Sequence, residues 1–246
     1  MIQGIKEVCK RCVMDSTVSD IIFDLNGYCN YCTAAETRLN TETYSRDSRN
    51  LIKLVEKIKK SGKNNEYDCV IGISGGVDSS YVAYLVKDLG LRPLAVHLDN
   101  GWNTDLSISN INSLLDKLDI DLSTYVINWE EFKDLQVAFL KSSIANAEIP
   151  TDHAIGALLF NSAIKYNIKY ILHGGNIATE SIMPSKWMES AFDLKLLKNI
   201  HKQFGKRKLL TFPTMGLLRM AFYTLIRRIK YIGILNYIEY EKEEAI

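Results

Sequence analysis

Residues 71–80 read Ile-Gly-Ile-Ser-Gly-Gly-Val-Asp-Ser-Ser, and this stretch decides the fold. The apolar run at 67–73 has the composition of a buried strand, and apolar side chains recur at helical spacing after Ser80. The sequence therefore predicts a strand, a tight loop and a helix in succession. Gly75 and Gly76 leave room for a ligand, and a helix start offers unpaired backbone N–H groups. Such a loop suits phosphate.

The loop lacks the lysine of the Walker-type phosphate loop, so we do not expect it to clamp the β and γ phosphates. Its hexapeptide SGGVDS, at 74–79, resembles the signature of the PP-loop ATP pyrophosphatases, which cleave ATP to AMP and pyrophosphate. The resemblance implies ATP and Mg²⁺ as cofactors, and Asp78 as a catalytic residue in the Mg²⁺ or phosphate network. The implied nucleotide-binding residues of the loop are Ser74, Gly75, Gly76, Val77, Asp78, Ser79 and Ser80. The alternative is a plain strand-to-helix turn in which Asp78 or Ser79 caps the helix.

Beyond residue 67, short apolar segments alternate with helical patterns. This alternation predicts an α/β fold, a Rossmann-like parallel sheet with helices on both faces. Ligands on such sheets bind at the carboxyl ends of the strands. The predicted strands are 67–73, 93–98, 124–127 and 169–173, and the predicted helices are 80–89, 105–118, 131–145 and 154–166.

Polar residues follow two further predicted strands. Segment 97–102, HLDNGW, resembles the PP-loop segment that receives adenine and ribose, with Asp99 as its acidic residue; an ordinary turn is the alternative. Segment 173–180, HGGNIATE, is expected to close over the nucleotide from the other side. Its implied ligand residues are Gly174, Gly175, Asn176 and Glu180, although Glu180 also suits a solvated helix face.

Residues 151–153, Thr-Asp-His, are predicted to open the helix before the last of these strands. The resemblance implies that Asp152 is a catalytic carboxylate, whereas an N-cap role for Thr151 or Asp152 would explain the same residue types. The isolated histidines His97, His173 and His201 are interpreted as structural.

The N-terminus carries two C-x-x-C pairs, separated by an apolar stretch at 21–25 and an Asn-Gly turn. A strand and turn would bring the two pairs together. Four thiolates at this spacing are typical of a closed, structural zinc site, with an iron–sulfur cluster or redox-active pairs as alternatives. The predicted Zn²⁺ ligands are Cys9, Cys12, Cys29 and Cys32, and Cys69 is predicted to be a core residue.

We expect three parts in the chain: a zinc-knuckle module at 1–40, a helical linker at 41–66, and a PP-loop domain at 67–246. A helical pattern at 33–63 predicts the linker. Residues 195–230 carry lysines and arginines but no aspartate or glutamate, so this segment is expected to attract an anion. Within it and just beyond, 216–235 is predicted to be an amphipathic helix docked on the protein.

Composition narrows the protein class. The chain has 246 residues, of which 47% are hydrophobic and 24% charged, with a formal net charge of +1. These values are ordinary for a globular protein. The near-neutral net charge argues against a protein that is basic throughout, though not against a local basic site. The start resembles no signal peptide, no stretch predicts a transmembrane segment, and paired cysteines fit a reducing compartment, so a cytoplasmic location is expected.

The cysteine pairs, the PP-loop, Gly174–Asn176 and the ending LNYIEY at 235–240 together resemble the N-acetyl sugar amidotransferases of surface-polysaccharide biosynthesis, including O-antigen and lipopolysaccharide. The resemblance implies ATP-dependent adenylation of the acetamido oxygen of a nucleotide-linked N-acetyl sugar. Ammonia then replaces AMP and gives an acetamidino sugar. It also implies glutaminase and cyclase-like partner subunits that supply the ammonia.

Members of that family continue beyond the equivalent of residues 241–246, so the resemblance predicts a shortened acceptor site and places turnover by this chain in question. Two alternatives stay open. One is a PP-loop enzyme that modifies transfer RNA, by thiolation or lysidine-type chemistry, which the basic segment favours and the near-neutral net charge opposes. The other is a non-catalytic ATP-binding subunit.

Overall fold

The computed structural model describes residues 7–41, 48–180, 182–184, 187 and 189–241. Its strands are β1 (Cys69–Gly72), β2 (Pro93–Asp99), β3 (Asp121–Val126), β4 (Tyr170–His173) and β5 (Lys230–Gly233). Its α-helices are α1 (Asn30–Leu39), α2 (Ser48–Gly62), α3 (Val77–Asp88), α4 (Asp105–Leu118), α5 (Trp129–Ser142), α6 (Ile149–Lys165), α7 (Ile177–Glu180), α8 (Leu194–Phe204) and α9 (Leu217–Ala221). A π-helical turn, Phe222–Ile226, continues α9, and a 3₁₀ turn, Ile234–Tyr237, follows β5.

The five strands form one sheet in the order β3-β2-β1-β4-β5, and every neighbouring pair is parallel. The chain moves outward from β1 to β3 and then returns to the other side of β1 as β4. The order therefore reverses between β1 and β4, which is the place where open parallel sheets bind ligands. The predicted Rossmann-like parallel sheet is confirmed.

Each face of the sheet is covered by helices, because alternate side chains of a strand point to opposite faces. Val70 belongs to a core shared with helices α5, α6 and α8, whereas Cys69 and Ile71 belong to a core shared with α2, α3 and α4. The apolar stripe of α2 is buried in that second core through Leu51, Leu54, Val55 and Ile58. The boundaries proposed at residues 40 and 66 stay predictions.

Several element boundaries differ from the predicted ones. Strand β3 begins at Asp121, three residues before the predicted start, and α6 begins at Ile149, five residues early. Helix α3 starts within the loop, at Val77, because Gly76 occupies the N-cap position. The predicted strand at 21–25 is reduced to one antiparallel bridge between Phe23 and Cys29. The Asn-Gly turn is present, since Gly27 has φ +82° and its N–H bonds to the Asp24 carbonyl.

The amphipathic helix predicted at 216–235 is wrong beyond Ile226. The chain turns at Arg228, with φ +55°, and then adds β5 to the edge of the sheet beside β4. An edge strand of four residues is stabilised by pairing with a distant strand, which local periodicity does not reveal. Among the described residues, no helix combines the length and apolar character that a membrane crossing requires.

Candidate active site

The loop between β1 and α3 is closed by one serine hydroxyl. The Ser79 Oγ accepts a hydrogen bond from the Ser74 N–H at 3.2 Å and donates one to the Gly76 carbonyl at 3.0 Å. The Ser74 and Ser79 hydroxyl oxygens lie 3.1 Å apart. Ser74 and Gly76 are exposed, so the loop presents hydroxyl and amide groups to solvent at the end of the strand.

Gly75 is required by the conformation of this loop. Its φ is +78°, and a Cβ there would lie 2.8 Å from the backbone carbonyl oxygen of Ser107 in α4. Gly76 has ordinary backbone angles and forms the N-cap of α3, without any side chain to satisfy the first amides of that helix. Neither Asp78 nor Ser79 is the cap, so the plain capping alternative is wrong. A helix start without a side-chain cap suits an anion, and phosphate binding there stays a prediction.

A cavity of about 310 Å³ lies beside the loop, at the carboxyl ends of the strands. We call it the loop cavity. Gly72, Ser74 and Ser79 line one side of it, and Thr151 lines another. Together with Gly72, the wall draws residues from four of the five strands or the loops that follow them. They include Ile73, Val96, His97, Leu98, Asn100, His173 and Tyr231.

The β4 end packs closely on the phosphate loop. A Cβ on Gly174 would lie 3.1 Å from the Cβ of Asp78, and one on Gly175 would lie 2.9 Å from the His173 Nδ1. Asn176 is buried, and its side-chain amide donates to the Gly174 carbonyl at 3.3 Å, so it holds this turn. Glu180, in α7, is exposed nearby. The two predicted glycines and Asp78 are thus brought together.

Asp99 forms the turn after β2. Its Oδ1 accepts hydrogen bonds from the Gly101 N–H at 3.1 Å and the Asn103 side-chain amide at 3.2 Å. His97 is buried and satisfied, because its Nδ1 bonds to the Ile73 carbonyl at 2.8 Å and its Nε2 to Asn103 at 3.2 Å. Asp99 therefore stabilises the turn after β2. Its contact with ribose stays a prediction.

The start of α6 differs from prediction. Glu148 is the N-cap, and Pro150 lies in the first turn, so neither Thr151 nor Asp152 caps the helix. The Thr151 Oγ1 is buried in the wall of the loop cavity and has no hydrogen-bond partner among the residues that the structure describes. A buried hydroxyl without a partner is costly unless a ligand or water satisfies it. The sequence indicated only a cap at Thr151 and missed its place in the cavity wall.

Asp152 follows Thr151 in α6 and does not itself line the loop cavity. Its side chain is exposed, yet partial desolvation by the surrounding protein, and then the charge of Glu148, raise its pKa above the ordinary value. Burial and then the Asp152 charge raise the pKa of Tyr231, a residue of the cavity wall. Asp152 is thus close enough to the cavity to act on its electrostatics.

His173 and Tyr231 form one wall of the loop cavity. Their rings stack with centroids 4.2 Å apart, and the His173 Nδ1 accepts a hydrogen bond from the Gly175 N–H at 3.1 Å. Burial lowers the pKa of His173 to about 4, so its ring is neutral at pH 7. Tyr231 was missed from the sequence because it lies on β5.

Residues 48–210, about two thirds of the chain, match the family model described as NAD synthase. The chain belongs to the NAD synthase family. It is a member of the PP-loop ATP pyrophosphatase superfamily, and the matched region includes the phosphate loop, Asp99, Asp152 and the β4 turn.

Two curated relatives carry other activities. The chain is 28% identical over 139 residues to a tRNA-specific 2-thiouridylase from Fusobacterium nucleatum, covering 54% of this chain and 38% of that protein. It is 33% identical over 132 residues to a glutamine-hydrolyzing GMP synthase from Pyrobaculum aerophilum, covering 50% of this chain and 24% of that protein. The match thus spans well under half of either relative.

Solved structures of low identity also match. The NH3-dependent NAD synthetase from Campylobacter jejuni gives a TM-score of 0.40 at 18% identity, over 64% of this chain and 76% of that chain. The NMN synthetase from Francisella tularensis gives 0.38 at 18% identity, over 74% of this chain and 95% of that chain.

The four N-terminal cysteines precede the region that the NAD synthase model matches, and the structure brings them together. Their sulfur atoms all lie within 4.8 Å of one another, with Cys9 and Cys32 at 3.7 Å and Cys12 and Cys29 at 3.5 Å. A tetrahedral ion with metal–sulfur bonds of about 2.3 Å needs sulfur atoms about 3.8 Å apart. The four thiols therefore fit a metal ion. Helix α1, which includes Cys32, contacts α7, the helix after the β4 turn.

Backbone groups favour a thiolate at Cys9. Burial raises its pKa, but hydrogen bonds from the backbone N–H groups of Cys12, Arg11 and Cys29 lower it by more, to about 6. Burial raises the pKa values of Cys12 and Cys32. Cys69 is fully buried in β1, as predicted, and burial raises its pKa.

Proposed function

We propose that this chain is an ATP-dependent amidotransferase that acts on the acetamido group of a nucleotide-linked N-acetyl sugar. The observation that carries the ATP half is the loop at 74–80, with Gly75 at positive φ and a helix start without a side-chain cap. Membership of the PP-loop superfamily supports adenylation of a substrate oxygen. The acetamido sugar rests on the resemblance of the cysteine pairs, the loop and the C-terminal sequence.

The proposed reaction has two steps. The acetamido oxygen attacks the α-phosphorus of ATP, the bond to the bridging oxygen breaks, and pyrophosphate leaves. The lone pair of ammonia then forms a carbon–nitrogen bond, the carbon–oxygen bond breaks, AMP leaves, and the nitrogen loses a proton. The first step is needed because an amide oxygen is a poor leaving group and a phosphate ester oxygen is a good one.

The roles of the residues follow from their positions. The loop amides and the Ser74 and Ser79 hydroxyls bind the pyrophosphate portion, where fixed donors stabilise developing charge. Asp78 would hold Mg²⁺, which offsets phosphate charge when bound. Asp152, whose pKa is raised, accepts the proton lost by the nitrogen. The Thr151 hydroxyl, which has no hydrogen-bond partner in the described part of the chain, donates a hydrogen bond to the substrate.

The ammonia is proposed to come from partner subunits, a glutaminase and a cyclase-like protein. A glutaminase of this kind requires a reactive cysteine. The chain has five cysteines, of which four cluster at the N-terminus and the fifth, Cys69, is fully buried in β1. This cysteine usage supports an external ammonia source. We also propose Zn²⁺ as the ion of the cysteine cluster, in a closed structural site, and a cytoplasmic location.

The test supplies ATP, Mg²⁺ and ammonium with a panel of nucleotide-linked N-acetyl sugars, and measures pyrophosphate release. Mass spectrometry then detects replacement of the acetamido oxygen by NH. We expect release only with the correct sugar, and none with the Asp78→Asn variant. Release without any change in the sugar would contradict the proposal. ATP binding without release on any acceptor would favour a non-catalytic ATP-binding subunit.

A second candidate is a PP-loop enzyme that modifies transfer RNA. The relative named as a tRNA-specific 2-thiouridylase and the basic segment 195–230 favour it. Lys195, Lys198 and Arg219 line one exposed groove beside Leu217 and Leu218. Transfer RNA binding that falls steeply as salt rises, together with pyrophosphate release on tRNA, would support this candidate.

A further inference from the structure

A second cavity, of about 590 Å³, adjoins the loop cavity. We call it the indole pocket, because Trp102 and Trp129 line it together with Lys133 and Gln136. Asn100 lines both cavities. The two cavities therefore meet at Asn100, so ligands in them would be neighbours.

The two indoles are held firmly while their faces stay open. Their ring centroids lie 5.7 Å apart in an edge-to-face arrangement, and the Trp102 Nε1–H donates to the Gln136 Oε1 at 3.1 Å. Trp129 packs against the backbone at Gly101, where a Cβ would lie 3.1 Å from its ring. Trp102 nevertheless keeps 65% of its surface exposed and Trp129 keeps 39%. Exposed aromatic faces in fixed orientation are a stacking surface for a planar ring.

We propose that the indole pocket binds the nucleobase of the acceptor substrate. This inference rests on the proposed function, which requires a nucleotide-linked acceptor. In the proposed reaction ATP occupies the loop cavity with its phosphates at the loop, so the acceptor needs a separate space beside that cavity. The adjoining indole pocket provides that space. The base stacks on Trp102, Lys133 attracts the acceptor's diphosphate, and the sugar extends past Asn100 toward the loop.

The test compares Trp102→Ala with Trp187→Ala, which removes another exposed tryptophan that does not line either cavity. Calorimetry measures binding of UDP, GDP and dTDP, the acceptor without its sugar, and separately binding of ATP. We expect Trp102→Ala to weaken the best of these diphosphates by about 10- to 100-fold, because base–aromatic stacking contributes that much. Segment 97–102 was expected to receive adenine and ribose, but its Trp102 lines the indole pocket and not the loop cavity. We therefore expect the ATP affinity of Trp102→Ala to change less than about twofold. We expect Trp187→Ala to bind like wild type and Trp102→Phe to restore most of the diphosphate affinity.

Loss of ATP affinity in Trp102→Ala would assign the pocket to adenine and overturn the proposal. Absence of binding by all three diphosphates would overturn it too, and Trp102-dependent binding of transfer RNA in their place would assign the stacked base to RNA. Failure of the proposed function looks different: a diphosphate would bind in a Trp102-dependent way, but no acetamido sugar would release pyrophosphate. Conversely, turnover of an acetamido sugar whose KM is unchanged by Trp102→Ala would support the proposed function and exclude the indole pocket as the nucleobase site.

Discussion

The Tyr240 hydroxyl donates a hydrogen bond to the Asp78 Oδ1, across 162 positions of sequence. The Tyr240 ring also packs against Tyr81 of α3, with centroids 5.4 Å apart. The segment after β5 therefore orients the Asp78 carboxylate of the phosphate loop. A carboxylate that must meet a metal ion or phosphate depends on such support.

Removal of this hydrogen bond is expected to reduce turnover without unfolding the protein. Tyr240→Phe should lower kcat/KM for pyrophosphate release by about tenfold, because a hydrogen bond to a charged group contributes about 1.5–3 kcal/mol. Asp78→Asn should abolish release. Tyr84→Phe, at an exposed tyrosine on the same helix, is the control and should behave like wild type. Wild-type rates in Asp78→Asn would remove Asp78 from the mechanism.

The two loop glycines should respond differently to alanine. Gly75→Ala forces a side chain into φ +78° and against the Ser107 carbonyl, so we expect a conformational cost of about 1–3 kcal/mol and loss of most ATP affinity. At Gly76 a Cβ would meet the Ser74 Oγ at 3.4 Å, an ordinary contact. Gly76→Ala should therefore retain the melting temperature. Calorimetry measures the ATP affinity of each variant, and thermal unfolding measures its melting temperature. Equal melting temperatures and equal ATP affinities in the two variants would contradict this account of the loop.

The buried carboxylate of Glu131 should be important for stability. It accepts hydrogen bonds from the backbone N–H groups of Leu210, Thr211 and Phe212, at 3.0 Å each in its shortest contacts. Glu131→Gln places an N–H₂ group against these donors, so we expect the free energy of unfolding to fall by about 1–3 kcal/mol. Urea unfolding measures the change.

Glu130 provides a matched control for that measurement. It is the preceding residue, and its exposed carboxylate pairs with Arg207 at 2.8 Å. Exposed ion pairs contribute about 0–1 kcal/mol, so Glu130→Gln should be almost neutral. A loss of stability in Glu130→Gln as large as that in Glu131→Gln would show that burial of the carboxylate is not the cause.

Stability should fall in mild acid because two histidines are held neutral. Burial lowers the pKa of His173 to about 4, and burial also lowers the pKa of His153, against the opposing effect of its hydrogen bond to the Ala191 carbonyl. Below about pH 6.5 the unfolded chain binds protons that the folded chain excludes. The contribution of His173 is therefore complete above pH 6.5 and is lost as the pH falls toward 4.

Urea unfolding at pH 7.5 and pH 5 measures this effect. We expect wild type to lose on the order of 1–2 kcal/mol through His173, and His173→Gln to lose correspondingly less over the same interval. A variant whose unfolding free energy falls with pH as steeply as that of wild type would exclude His173 as a source of the acid sensitivity.

The cysteine cluster should bind one zinc ion per chain in protein purified without chelators. Cys12→Ser should lose the metal and lower the melting temperature, because so small a module cannot bury a sufficient core by itself. Cys69→Ala is the control and should retain the metal, since Cys69 is distant in β1. Elemental analysis measures the metal content of each variant, and absorption spectra detect iron. An iron chromophore would exclude zinc.

The sequence by itself determined the parts that depend on neighbouring residues. Gly75 and Gly76 between a buried strand and a helical pattern predicted the phosphate loop, because φ > 0 and close approach require glycine. Regular alternation of strand and helix patterns predicted the parallel sheet, and C-x-x-C spacing predicted the cluster of four cysteines. These signals are local, so they can be read within a few residues.

Only the tertiary structure decided the features that depend on distant contacts. Strand β5 exists through its pairing with β4, and it brings Tyr231 against His173 in the loop cavity. The hydrogen bond from Tyr240 to Asp78 and the place of Thr151 in the cavity wall likewise arise from packing between segments far apart in sequence. Such contacts are selected by burial and geometry over the whole domain, and no local residue pattern specifies them.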